Sequence, residues 1–179
     1  MRVMKVIGKV LSITLTVILA LFLVCNLYTA MVRSNTGDPQ PDIFGWSWSV
    51  VITGSMEPNI HVDDLIFVHK QDSYAVNDVI TYRSDTGRSV VTHRIIETTE
   101  DGYLTKGDAN NTDDFYPVSA TRVVGKVVGG IPFVGRLVSF LQTPIGLLVV
   151  LAVGFLLIEL PNLIGWIAGK GKGGDSDVG

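Results

Sequence analysis

The residues best suited to chemistry are one serine, one histidine and a loop of carboxylates in the middle of the chain. Ser55 follows a glycine directly after a short apolar run, where its hydroxyl has no bulky neighbour on that side. A serine hydroxyl is a weak nucleophile unless a base lies beside it. A serine next to a histidine would be a nucleophile for acyl transfer, whereas a Gly-Ser pair alone is usually an ordinary turn.

Three histidines are available as the base. Histidine suits this role because it changes charge near neutral pH. His61 follows the serine in a predicted turn, and His69 ends a predicted strand. His93 lies inside a strongly β-like run and is followed by arginine. A single histidine in a strand is usually structural, so His93 is informative only together with the other segments.

The polar loop 105–114 carries three carboxylates and allows three interpretations. It could be a solvated turn. It could be a calcium loop with oxygen ligands from Asp108, Asn110 and Asp114, although the spacing lacks the glycine and terminal glutamate of an EF-hand. It could also supply a carboxylate that orients a histidine base. The single cysteine, Cys25, excludes a disulfide within the chain and a zinc site built from cysteines.

The segments around these residues read as strands. Short β-branched or apolar runs alternate with turn residues, a pattern typical of an all-β barrel or sandwich rather than of alternating β and α units. The predicted strands are 49–52, 65–68, 79–82, 90–96, 102–105 and 123–128.

An apolar run precedes this region. Residues 10–30 are long enough for a helix that crosses the hydrocarbon core of a bilayer. Arg2, Lys5 and Lys9 precede the run, and Arg33 follows it closely, which predicts a cytoplasmic N-terminus. The run exceeds the apolar core of a cleavable signal peptide and shows no polar face, so we expect a retained signal-anchor.

A second apolar run follows the β-rich region. Residues 145–158 are continuously apolar, and Lys170 and Lys172 come shortly afterwards, which predicts a second span with a cytoplasmic end. Glu159 would then lie near the interface, where a carboxylate costs less. A hairpin on the membrane surface is the alternative interpretation.

The sequence therefore predicts four regions, two of them apolar and two of them polar. Residues 34–136 contain fourteen Asp and Glu against eight Lys and Arg, which argues against nucleic-acid binding. The predicted regions are a signal-anchor (1–33), an extracytoplasmic β-rich domain (34–142), a second transmembrane helix (143–168) and a disordered cytoplasmic tail (169–179).

Taken in order, four short motifs resemble type I signal peptidases of the endoplasmic-reticulum and archaeal type, a group also found in some Gram-positive bacteria. Each motif is weak alone, but their order and spacing are specific, and the resemblance covers most of residues 50–160. The motifs are Gly-Ser-Met-Glu-Pro (54–58), Asn-Asp-Val-Ile (77–80), Thr-His-Arg (92–94) and the loop from Lys106 to Asp114.

The resemblance implies a role for each polar residue. Ser55 matches the nucleophile, and His93 matches the base at the position where the ordinary bacterial branch has lysine. Asp114 matches the acidic third member, and Asp108 matches a second aspartate important for activity. The sequence leaves open which of Asp108, Asp113 and Asp114 contacts the histidine.

The resemblance also implies how substrate is held and where it comes from. Thr53 matches a hydroxyl two residues before the nucleophile that, with the Ser55 backbone N–H, would stabilise the oxyanion; an ordinary strand threonine is the alternative. Val50, Val51 and Ile52 would pair with an extended substrate. The implied substrates are exported preproteins, cleaved after small residues such as alanine.

The resemblance implies no metal or organic cofactor, and whether partner subunits are needed is left open. The competing functions are a related anchored protease with a dedicated substrate and a non-catalytic anchored scaffold.

Overall fold

The computed structural model describes residues 2–170, with the side chains of residues 6–159. The chain divides into two compact units. One contains residues 28–140, and the other is formed by the helical segments toward the two ends of the chain. Most of the predicted disordered tail, residues 171–179, lies outside the described residues, and residues 169 and 170 end the last helix.

Helix α1 (Arg2–Thr36) contains the predicted signal-anchor. From Val6 onward it is long and apolar enough to cross a membrane, and its apolar stretch is not buried within the protein. It ends where Gly37 adopts a positive φ of 72° and donates its N–H to the Arg33 carbonyl oxygen at 2.9 Å. A glycine in this left-handed conformation is a common helix C-terminus because it lacks a Cβ.

The middle of the chain forms an antiparallel β-sheet, which confirms the predicted all-β class for this domain. The strands lie in one sheet of order β1-β2-β6-β3-β4-β5, rather than in the two sheets of a sandwich. They are β1 (Trp46–Val50), β2 (Leu65–His69), β3 (Val79–Arg83), β4 (Val90–Thr99), β5 (Gly102–Lys106) and β6 (Val123–Ile131).

Both faces of the sheet carry apolar clusters, because side chains in a strand alternate between the two faces. Val123 and Val124 are neighbours in β6 and belong to different clusters. Ile80 and Ile95 are fully buried in the first cluster, and burying such a side chain contributes about 1.5–3 kcal/mol. The first cluster is Ile80, Tyr82, Ile95, Val118 and Val123; the second is Ile66, Val68 and Val124.

The first strand ends earlier than the sequence pattern predicts. β1 ends at Val50, and Ile52 beyond it is 83% exposed. Val51 still donates its N–H to the Asp64 carbonyl oxygen and accepts the Asp63 N–H, both at 2.9 Å. The chain therefore stays extended beside the start of β2 before it turns toward Ser55.

Two helices follow the sheet. Helix α2 (Gly135–Leu141) is short, and helix α3 (Pro144–Lys170) is long. In the part of the chain that the structure describes, α1 is one helix that could cross a membrane by itself. Helix α2 and the part of α3 up to Glu159 are long and apolar enough only when taken together, and the bend of 87° between them fits either a broken span or a re-entrant loop.

Candidate active site

Ser55 lies in a tight turn held by a buried neighbour. The turn is closed by a hydrogen bond from the Glu57 N–H to the Gly54 carbonyl oxygen at 3.1 Å. Met56 is 2% exposed, so its side chain anchors the turn to the protein. The Ser55 residue itself is half-buried. The turn and the buried Met56 therefore restrict the backbone of Ser55, while its side chain remains partly exposed to solvent.

The acidic loop between β5 and Val118 packs directly on the Ser55 backbone. The Ala109 N–H donates to the Ser55 carbonyl oxygen at 2.9 Å. A Cβ at Gly107 would lie 2.7 Å from the same oxygen, closer than real Cβ contacts, so the residue at this position must be glycine for the two segments to approach.

His93 lies in the middle of β4, opposite Ile80 of β3. It is 8% exposed. Its Nδ1 lies 2.7 Å from Asp114 Oδ2, so Asp114 is the carboxylate that contacts the histidine. With Nδ1–H directed to the carboxylate, Nε2 is the ring nitrogen left to accept a proton.

Asp114 is held by the strand that precedes the loop. Its N–H donates to the Thr105 carbonyl oxygen at 2.9 Å, and the Thr105 hydroxyl donates to Asp114 Oδ2 at 2.5 Å. The Tyr82 hydroxyl donates to the same oxygen at 3.2 Å. Sequence reasoning missed Tyr82 and Thr105, which read as ordinary strand residues; only the pairing of β3, β4 and β5 brings them beside His93.

Asp108 occupies a different environment from Asp114. Its two carboxylate oxygens accept hydrogen bonds from Arg94 Nε at 2.8 Å and Arg94 Nη2 at 2.6 Å. Asn59 Nδ2 donates to Asp108 Oδ2 at 2.8 Å. The hydrogen bonds from Arg94 hold the pKa of the Asp108 carboxyl below its usual range. Asp108 thus remains an anion that ties the loop to β4 and to the segment after Ser55.

The two aspartates diverge because His93 and Arg94 are consecutive in a strand. Consecutive side chains point to opposite faces of a sheet. Asp114 therefore meets His93 on one face, while Asp108 meets Arg94 on the other. The loop joins the Ser55 turn to both faces of β4 through backbone and side-chain contacts.

The Ser55 hydroxyl lies 3.5 Å from the Thr53 hydroxyl. Among the described residues, no hydrogen bond joins the Ser55 hydroxyl to His93. Thr53 is exposed and precedes the serine by two residues, which is the position expected for the second oxyanion donor. The structure brings Thr53 to Ser55 and His93 to Asp114 as two separate pairs.

The three carboxylates of the loop already contact other protein groups and are not free to bind calcium. Asp108 is bound by Arg94 and Asn59, and Asp114 by His93 and two hydroxyls. Asp113 forms an ion pair with Lys106 at 3.2 Å. Among the side chains of residues 6–159, no group of three or more His, Cys, Asp or Glu is arranged to hold a metal ion.

The predicted substrate segment lies at a sheet edge. β1 is the first strand in the sheet order and pairs with β2 on one side. Both backbone groups of Val51 are directed to residues 63 and 64. Backbone groups of successive strand residues point to alternate sides, so Val50 directs its groups to the opposite edge, and an extended Ile52 would do the same.

The chain is similar to several curated proteins. It is 35% identical over 133 residues to Signal peptidase I W of Bacillus subtilis, which covers 70% of this chain and 67% of that protein. It is 36% identical over 101 residues to the signal peptidase complex catalytic subunit SEC11 of Debaryomyces hansenii, and 34% identical over 101 residues to SEC11C of Homo sapiens. These matches cover 48% of this chain and 60% and 52% of those proteins. No family model matches the chain.

Proposed function

Because this chain belongs to the type I signal peptidase family, a family of serine endopeptidases, we propose that it cleaves signal peptides from preproteins with Ser55 as nucleophile and His93 as general base. The contact between His93 Nδ1 and Asp114 Oδ2 at 2.7 Å carries this proposal. It fixes the tautomer in which Nε2 is free to take a proton from a serine hydroxyl.

The reaction is acyl transfer in two steps. His93 accepts the Ser55 hydroxyl proton as the oxygen attacks the scissile carbonyl, and it then returns the proton to the leaving amine. Water, activated by His93, releases the acyl group from Ser55. We expect the Ser55–His93 hydrogen bond to form when substrate binds, since such bonds are often long in unliganded enzymes.

The oxyanion would be held by the Thr53 hydroxyl and the Ser55 backbone N–H. The 3.5 Å separation of the two hydroxyl oxygens supports this role, because both must approach the same carbonyl carbon and oxygen. Removing one donor of this type costs about 2.7–4 kcal/mol of transition-state stabilisation. The cleavage rate of the purified Thr53→Val variant tests this role. A wild-type rate would mean that Thr53 is an ordinary threonine without a part in catalysis.

The base is histidine rather than lysine. Lys106 follows Thr105 in β5 and so points to the opposite face from the His93–Asp114 pair. Its ammonium is engaged by Asp113 at 3.2 Å. These two observations support His93 as the base of this chain.

The substrate would bind as an added strand beside β1. The outward backbone groups of Val50 and Ile52 provide the hydrogen bonds, and shallow pockets would admit small residues at the first and third positions before the cut. This arrangement leads the substrate chain along β1 toward Ser55, where the scissile bond lies.

The enzyme would act at a membrane. Helix α1 would anchor it with its N-terminus in the cytoplasm, and α3 would form a second span that returns the chain to the cytoplasm. The contact from the Ser12 hydroxyl to the Leu157 carbonyl oxygen supports paired helices, since polar groups in hydrocarbon need internal partners. The catalytic domain would then lie on the extracytoplasmic side.

Exposed apolar side chains of the β-domain would meet the same membrane surface. Phe133 is 73% exposed and Leu137 of α2 is 55% exposed. Burying these residues at the membrane surface would set the height of Ser55 relative to substrates whose signal helices lie in the same bilayer.

The test is cleavage of a model preprotein, with alanine at the first and third positions before the cut, by purified protein in detergent. Ser55→Ala and His93→Ala should be folded and inactive. Asp114→Ala should lower the rate strongly. His93→Lys tests whether lysine, the base in the ordinary bacterial branch, can replace the histidine. Cleavage by Ser55→Ala would refute the proposal, and an inactive wild type would also count against it and favour a non-catalytic scaffold.

A further inference from the structure

Three donors converge on one oxygen of Asp114. Oδ2 accepts from His93 Nδ1 at 2.7 Å, from the Thr105 hydroxyl at 2.5 Å and from the Tyr82 hydroxyl at 3.2 Å. On the basis of the proposed function, we propose that Tyr82 and Thr105 are positioning residues that hold the Asp114 carboxylate against His93, and that their hydroxyls are required for turnover rather than for substrate binding.

The burial of both hydroxyl-bearing residues supports this role. Thr105 is fully buried and Tyr82 is 6% exposed, so neither hydroxyl can rely on water for hydrogen bonding. A buried hydroxyl without a partner costs free energy, whereas valine and phenylalanine would fill the same volumes without that requirement. The apolar surroundings therefore do not explain the two hydroxyls. They lie 3.3 Å from each other, and the Tyr82 hydroxyl lies 3.5 Å from His93 Nδ1, but Asp114 Oδ2 is the acceptor that both share.

The Tyr82 ring is fixed independently of Asp114. It packs in the cluster that contains Ile80, Ile95 and Val118. The Arg122 guanidinium carbon lies 6.0 Å from the ring centroid. The hydroxyl is consequently presented from a rigid support, which is what orienting a carboxylate requires.

Asp114 needs such support because its side chain is accessible. It is 25% exposed and has two rotatable bonds, so the carboxylate could turn from His93 toward water. The hydrogen bond from the Asp114 N–H to Thr105 fixes only its backbone. Burial raises the pKa of Tyr82 to about 12, so its phenol remains a donor throughout the working pH range.

The experiment measures kcat and KM separately for preprotein cleavage by the full chain. The variants are Tyr82→Phe, Thr105→Val and Thr105→Ser. We expect Tyr82→Phe and Thr105→Val each to lower kcat about 10-fold with KM changed less than about two-fold, as for an interaction that matters only in the transition state. Thr105→Ser keeps the hydroxyl and should restore most of kcat.

Thr81→Val is the matched control. Thr81 is fully buried in the same strand as Tyr82, and its hydroxyl lies 2.9 Å from that of Thr92 on the opposite face. Its loss should lower the melting temperature and leave kcat unchanged. Wild-type kcat in folded Tyr82→Phe and Thr105→Val would overturn the inference, as would equal losses in Thr105→Ser and Thr105→Val, or in Thr81→Val.

Ser55→Ala, measured alongside, separates this inference from the proposed function. If wild type cleaves, Ser55→Ala does not, and the hydroxyl variants retain kcat, the inference alone fails. If Ser55→Ala cleaves or wild type does not, the proposed function fails and the inference fails with it.

Discussion

The Ala109 N–H donates a hydrogen bond of 2.9 Å to the Ser55 carbonyl oxygen, which joins the acidic loop to the turn of the candidate nucleophile through the backbone. The contact needs no side chain, so its strength depends on how closely the two segments approach. Gly107 permits that approach, and the Asp108 side chain reinforces it through Asn59. The position of Ser55 is thus set by residues about fifty positions later in the chain.

Replacing Gly107 with alanine should displace the Ser55 turn. The new Cβ would lie 2.7 Å from the Ser55 carbonyl oxygen and 2.7 Å from Asn110 Nδ2, so one segment must move. Small displacements of this kind cost about 100-fold in rate. Preprotein cleavage by Gly107→Ala measures the loss. Gly129→Ala is the control because its Cβ would meet nothing within 4 Å, and a normal rate for both variants contradicts the account.

Asp108→Asn should weaken both activity and stability. Asparagine loses the charge that accepts two hydrogen bonds from Arg94, each charged hydrogen bond being worth about 2 kcal/mol. We expect a lower melting temperature and a fall in kcat of about 10-fold or more. Asp113→Asn removes a more exposed carboxylate from the same loop, its side chain being 53% accessible, and should change little. Equal effects of the two substitutions would argue against a role for the Arg94–Asp108 pair.

Acid should destabilise the domain through Asp38. The hydrogen bonds from Arg83 hold the pKa of Asp38 below its usual range. Between the folded and unfolded pKa values the unfolded chain binds more protons, so this contribution is fully present above the ordinary aspartate pKa of about 4 and is lost as the pH falls through the lowered pKa of the folded state. Asp38→Asn should lower the unfolding free energy by about 1 kcal/mol at pH 7 and reduce the difference between pH 7 and pH 2.

Thermal unfolding followed by circular dichroism at several pH values measures this effect. Asp72→Asn is the control because Asp72 is exposed. A pH dependence that is identical in wild type and Asp38→Asn would show that the Arg83 contact does not contribute to acid sensitivity.

Ile52→Pro should impair substrate binding rather than turnover. Proline removes the outward N–H of Ile52 but tolerates an extended residue before it, which Val51 provides. The loss of one backbone hydrogen bond predicts a KM increase of about 10-fold with a smaller change in kcat. Ile52→Ala keeps the N–H and should retain wild-type KM. If the proline variant also binds normally, the substrate does not pair with this edge.

The strands were largely predictable because alternation of β-branched and polar residues is a local property. The class of the domain and most strand positions follow from residues such as Ile80 and Ile95. The end of β1 could not be predicted, because Val51 and Ile52 are as β-like as the residues before them. Beyond Val50 the regular register with β2 is lost, because Val51 donates to the Asp64 carbonyl oxygen but accepts from the Asp63 N–H. This shift depends on the partner segment and not on the residues of β1.

The candidate site was predictable in its residue types but not in its contacts. Three aspartates in one loop are equivalent in sequence, and what distinguishes Asp108 from Asp114 is which face of β4 each one reaches. Tyr82 and Thr105 carry no local signal, because their proximity to His93 depends on the register of three strands. Such information lies in the pairing of the sheet rather than in any one segment.

Strand β6 has a consequence for when the sheet becomes continuous. It is the last strand in the chain, yet it lies between β2 and β3 in the sheet. Ser55 belongs to the β1–β2 half and His93 to the β3–β4–β5 half, and within the described residues no strand pairing joins β2 to β3 directly. During synthesis Ser55 and His93 therefore both emerge before the strand that joins β2 to β3 in the sheet. The six-stranded sheet can therefore become continuous only after residues 123–131 have been made, and a chain that stops before them keeps two groups of strands that β6 does not join.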